Sequence, residues 1–143
     1  MTMDPAEYAA RVREVRARLA GTMTDEVGTG STDAVAAARS LAARRLRRRS
    51  GRLIADIEGT HTGGRWALRG GDGVPYLRIQ EEGGAIHPRG RGPLTFKSER
   101  GWWTSTREVR ITGRHFMRDA FVSTADAATE RLDKRIGALL GGD

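Results

Sequence analysis

With 143 residues the chain is long enough for one domain, and a chain of this size buries roughly 70% of the surface that its unfolded form exposes, so no covalent staple is needed. It has no cysteine, which excludes disulfide frameworks, thiolate zinc sites and cysteine nucleophiles and fits a reducing compartment such as bacterial cytoplasm. Its 25 basic residues outnumber 18 acidic ones for a net charge of +7; Lys97 and Lys134 are the only lysines, so arginine, suited to carboxylates and phosphates alike, carries most of the charge.

The first segment, MTMDPAEYAARVREV, is acidic and then amphipathic. It lacks the basic and apolar regions of a signal peptide, and no run in the chain approaches the ~20 apolar residues of a membrane span, so neither export nor membrane insertion is expected. Asp4, Pro5 and Glu7 fit a helix start, with Asp4 as cap, Pro5 at the first helical position and Glu7 completing a capping box. The pattern predicts a helix over 5–20, with Tyr8, Val12, Val15 and Leu19 on one stripe and Arg11, Arg13, Arg16 and Arg18 over the remainder. GTMTDEVGTGS, 21–31, reads as a mobile loop. A second helix is expected from Thr32 to about Arg49, with Val35, Ala38, Ala42 and Leu46 aligned and Arg44, Arg45, Arg47 and Arg48 fanned opposite them.

From Gly51 the hydrophobic period shifts towards two. RLIADIEG predicts a strand with Leu53, Ala55 and Ile57 on one side; RWAL follows after the turn-forming THTGG, and YLRIQ alternates again, with Tyr76, Arg78 and Gln80 opposite Leu77 and Ile79. EEGGAIHPRGRGP reads as a long excursion. LTFKSERGWWTS predicts a hairpin turning at Glu99 to Gly101, and REVRIT a strand with Val109 and Ile111 on one face. A last helix is expected from near Arg114 to Leu140, carrying Phe121, Ala125, Ala128, Leu132, Ile136 and Leu139 on one stripe. The predicted whole is a single α+β domain over 1–143. It has a helical pair over 1–49, an antiparallel sheet of four to five strands over 50–112 and a long helix over 113–140, with Leu53, Ile57, Tyr76, Phe116, Leu132 and Ile136 in the core.

Little here resembles catalytic machinery. His61, His87 and His115 lie far apart, without the i, i+4 spacing that turns two imidazoles to one metal, and there is no G-x-S-x-G elbow or nucleotide-binding P-loop. Gly28 to Ser31 superficially resembles a phosphate loop before a helix, but it follows no predicted strand, and a flexible linker is the better reading. Glu81 and Glu82 are adjacent, so in an extended segment they point to opposite faces, poor geometry for paired acid and base work. The expectation is a protein with no catalytic residue, no metal and no cofactor. The arginine cluster Arg44, Arg45, Arg47 and Arg48 reads either as a phosphate-neutralising surface or as a solvated or subunit-facing helix side. Adjacent Trp102 and Trp103 face opposite ways in a strand, so one of them is left for an edge or a partner.

Three segments, in order, resemble the neck and tail-completion proteins of long-tailed bacteriophages, the lambdoid gene-product-ten type and more distantly the Mu virion-morphogenesis type. They are SGRLIADI (Ser50 to Ile57), PYLRIQEEGG (Pro75 to Gly84) and ITGRHFMRDAF (Ile111 to Phe121). In the third, Gly113 stands where that family commonly has alanine, and His115 and Asp119 stand where it has prolines, while Arg114, Phe116, Met117, Arg118 and Ala120 stay in register. The resemblance implies a homo-oligomeric ring of structural subunits, six rather than twelve, between head connector and tail, with DNA passing through without sequence specificity. It implies a place in the neck of the virion, reached from the host cytoplasm during assembly. On that reading Glu81, Glu82, Arg89, Arg91, Trp102, Arg114 and Arg118 are the expected subunit or inter-ring contacts, and the 81–93 and 21–31 loops, both long and glycine-rich, are expected to contact the rings above and below. Arg44, Arg45, Arg47 and Arg48 are then candidates to face the DNA channel or a protein partner. The competing expectation is a small arginine-rich nucleic-acid-binding module, marked by steeply salt-dependent duplex binding.

Overall fold

The computed structural model describes residues 4–46, 51–70, 76–97 and 101–141. Two long helices form its frame: α1, Pro5–Arg45, and α4, Phe116–Leu140. They run antiparallel, since Arg45 near the end of α1 meets Asp119 at the start of α4, while Glu26 meets Arg131 and Arg135. Between them in sequence come a short helix α2, Gly51–Ala55, the strands β1, Ile57–Thr62, and β2, Arg65–Gly70, and a second short helix α3, Leu77–Glu82. Strands β3, Gly83–Ile86, β4, Leu94–Lys97, β5, Trp103–Thr106, and β6, Val109–Thr112, complete the described elements.

The α+β class is the expected one, and all strand pairing is antiparallel. A sheet of four to five strands is not formed: the described strands make three two-stranded sheets, β1–β2, β3–β6 and β4–β5. The THTGG turn is as read, because Gly63 and Gly64 both have positive φ, the backbone that a two-residue hairpin turn with right-handed twist demands.

The largest departure is α1, one 41-residue helix in place of a helix, a loop and a helix. Glycine and threonine are poor helix formers, yet here tertiary packing outweighs propensity. A Cβ on Gly30 would lie 3.2 Å from the indole nitrogen of Trp66, so glycine lets β2 approach the helix closely. Thr24 and Thr32 return their hydroxyls to the carbonyls of Ala20 and Gly28, one turn back. Gly28 to Ser31, read as a linker, is therefore helix interior, with Gly30 and Ser31 buried. Pro5 opens the helix, but Asp4 forms no side-chain cap. At the other end the chain leaves the helix at Leu46, which turns extended and buries in the core, so the helix stops short of the expected Arg49.

The core is Ala38, Ala42 and Leu46 of the α1 segment, Leu53, Ile57, and Phe116 with Ala120 of α4. Alanines on both helices let their axes come close. Leu53, Ile57 and Phe116 are buried as expected, and Leu132 and Ile136 are half-buried. Tyr76 is corrected: it is 50% exposed, because YLRIQ is not a strand but the start of α3, with Tyr76 at its cap position. A five-residue alternation fits a helical turn equally well, and the Arg78–Glu82 pair four residues apart supports the helix. RLIADI likewise enters as α2 and becomes strand only at Ile57. On α4 the buried stripe is Phe116, Ala120 and Thr124, not the one led by Phe121, whose ring instead tilts against Trp66 at 4.4 Å.

Candidate assembly surfaces

Of the charged residues singled out in the sequence, Arg45, Glu81, Glu82, Arg114 and Arg118 lie about the junction of α1, α3 and α4, and the side chains of Arg45, Glu81, Glu82 and Arg118 are engaged within one copy. The backbone at this junction is tight. Gly83 has φ +79, and a Cβ on Gly113 would lie 2.7 Å from the carbonyl of Glu82, so there is no room for a side chain there. His115, at the cap position of α4, has left-handed φ 49, and its side chain forms no cap hydrogen bond. Glu81 supplies the cap: its carboxylate accepts from the backbone N–H of Met117 at 3.0 Å and of Arg118 at 2.8 Å, satisfying two free donors of the first turn. Its partner within the chain is thus the start of α4.

Arg45 closes the same junction from α1. Its guanidinium donates to the carbonyls of Arg114 and His115 and to the Asp119 carboxylate at 2.6 Å. The Arg45 hydrogen bond, aided by the charges of Arg45 and Arg118, holds the Asp119 carboxyl below its ordinary value against opposing desolvation. Arg45 is thus committed inside the fold, whereas Arg44 is exposed, and Arg47 and Arg48 lie outside the described residues. Glu82 pairs with Arg78, and the Arg118 side chain with Asp119. Arg114 is half-buried, and its Nε has no hydrogen-bond partner among the described residues.

Two residues that sequence reasoning passed over hold the frame. Arg39 donates to the carbonyls of Ala55 and Ile57, pinning the step from α2 into β1. Glu26, 5% exposed, accepts from Arg131 at 2.6 Å and also meets Arg135, and this hydrogen bond raises the Arg131 pKa. Glu26 follows Leu19 by seven residues on the same stripe, a signal visible only once 5–45 is read as one helix.

Two surfaces remain uncovered in a single copy. One is the amino-terminal part of α1, where Tyr8 and Val12 are exposed beside a groove of about 420 Å³ lined by Tyr8, Arg11, Val12, Val15, Arg16 and Leu19. The other is the β4–β5 hairpin, which makes at most isolated contacts with the other described elements. It carries Trp102 and Trp103, 75% and 72% exposed, together with Phe96, and Arg89 and Arg91 are exposed in the loop before it. The two expected contact loops change accordingly. The 21–31 stretch is helix, and 81–93 divides into the end of α3, strand β3 and a shorter loop over 87–93.

Among the described residues no group of three or more His, Asp or Glu is placed to hold a metal ion, and no helix is long and apolar enough to cross a membrane. His61 lies on β1, His87 after β3 and His115 at the start of α4. No family model, curated protein or solved structure matches the chain.

Proposed function

We propose that the chain is a non-catalytic structural subunit of a long-tailed phage particle, forming a homo-oligomeric ring, six-fold rather than twelve-fold, at the joint between head connector and tail. The observation that carries this reading is the exposed apolar surface at two separate places, Tyr8 and Val12 on α1 and Phe96 and Trp103 on the β4–β5 hairpin. Exposed aromatics on a hairpin with no core of its own favour burial against a partner, and a lone two-stranded hairpin is marginal in water. Two different adhesive patches on one subunit suit head-to-tail contacts, which close into a ring when the rotation divides a circle. In such a ring the open edges of the three strand pairs can add strands across copies and build the four- to five-stranded sheet that one copy lacks. The place of action is the virion neck, reached from the host cytoplasm.

Electron microscopy of the purified full chain tests the reading: annular particles are the expected result, and a monomer at all concentrations, or turnover of any substrate, would overturn it. A second reading has its own support. Residues 87–107 contain four arginines and Lys97 against the single acid Glu99, interleaved with Phe96 and both tryptophans, the composition of a stacking platform for a nucleic-acid strand. Its mark would be binding to DNA whose log affinity falls by several units per log unit of salt.

A further inference from the structure

The stripe Tyr8, Val12, Val15, Leu19 and Met23 continues the side of α1 that farther along holds Glu26, Gly30 and Ala34 against α4 and the β1–β2 hairpin. The hairpin's cover ends where its turn residue Gly64 meets the cleft of Met23, Glu26 and Val27. Beyond that point Tyr8 and Met23 are 63% and 47% exposed. Arg11 and Arg16 line the groove on either side of the stripe and join no ion pair among the described residues, while Glu7 and Glu14, the latter paired with Arg18, lie beyond Arg11. Laying two such stripes on each other would set these arginines against their own copies, like charge on like.

The fold provides the opposite sign elsewhere. On the outward face of α4, Asp126 and Asp133 lie seven residues apart, exposed and in no ion pair among the described residues, between the exposed apolar Val122 and Leu140. Along a helix Asp126 and Asp133 are separated by about 10 Å and Arg11 and Arg16 by about 7 Å, a mismatch that arginine's length spans.

We propose that the amino-terminal half of α1 in one copy lies along the outward face of α4 in a second copy, its Tyr8–Leu19 stripe against Val122, Ile136 and Leu140 and its Arg11 and Arg16 against Asp126 and Asp133. The contact rests on reading the chain as a self-assembling subunit, and it names the surfaces that assemble. Joining a basic helix end to an acidic helix face makes the pairing directional and disfavours the symmetric α1-on-α1 alternative.

Sedimentation equilibrium of the full chain, with melting followed by circular dichroism, tests it. Val12→Glu should weaken association by about tenfold or more with the melting curve unchanged, because the residue is half exposed in a single copy. Reversing both arginines, R11E with R16E, should weaken association similarly, and adding D126R and D133R should restore most of it whatever the register of the helices. An unchanged association constant in Val12→Glu, or a fourfold variant no better than the double one, overturns the contact. Microscopy separates the two readings. Rings that survive Val12→Glu keep the ring and remove this contact, whereas dimers that dissociate on Val12→Glu keep this contact and remove the ring.

Discussion

Gly113 has no side chain because the backbone of Glu82 occupies the space one would need. Backbone cannot swing aside as a flexible side chain can, so Gly113→Ala should cost about 1–3 kcal/mol in urea unfolding. A neutral result would mean that β6 joins α4 by another path. Asp119 is tied to Arg45 across the helix pair. Its folded carboxyl titrates below the ordinary 3.8, so this contact stabilises the fold fully above pH 3.8 and loses its effect as pH falls through the lowered value. Asp119→Asn should therefore melt below the wild type near about pH 6, with the gap closing under acid; a gap independent of pH would remove the ion pair as its cause.

Among the elements, α1 makes the sharpest test. A methyl group at Gly21 or Gly28 meets nothing, and both sit inside the helix, so each change to alanine should raise stability by about 0.5–1 kcal/mol in thermal melts. Gly30→Ala should not share the gain, since its methyl would press on Trp66. If 21–31 were the loop its composition suggests, neither glycine would respond. That composition misleads because the reason for Gly30 is an indole on a strand much later in the chain, which no local window contains. The same limit explains α3, where five alternating residues satisfy two periods at once. The Gly63–Gly64 turn, strand β6 and the terminal helix were legible, because there the local chemistry and the final structure agree. At the candidate site, the charged residues could be named from sequence, but not that Glu81 would spend its carboxylate on its own chain's helix, which depends on where α3 comes to lie.

For the whole molecule, the division is between a packed middle and two bare extremities. Because the hairpin adds little to the core, Phe96→Ser with Trp103→Ser should leave the melting temperature within about 2 °C of wild type, as for surface changes, while reducing assembly measured by light scattering. A large drop in melting temperature would instead make the hairpin part of the folding core. Charge acts at this scale too: a net +7 carried mostly by arginine repels copies at long range, so assembly depends on local matching of sign and not on overall attraction.

One uninterrupted helix of 41 residues spans about 60 Å, with Arg45 bolted to the start of α4 at one end and Tyr8 bare at the other. It behaves as a strut. A push delivered at the tip would travel along a rod without a joint to the place where α3, β6 and α4 meet.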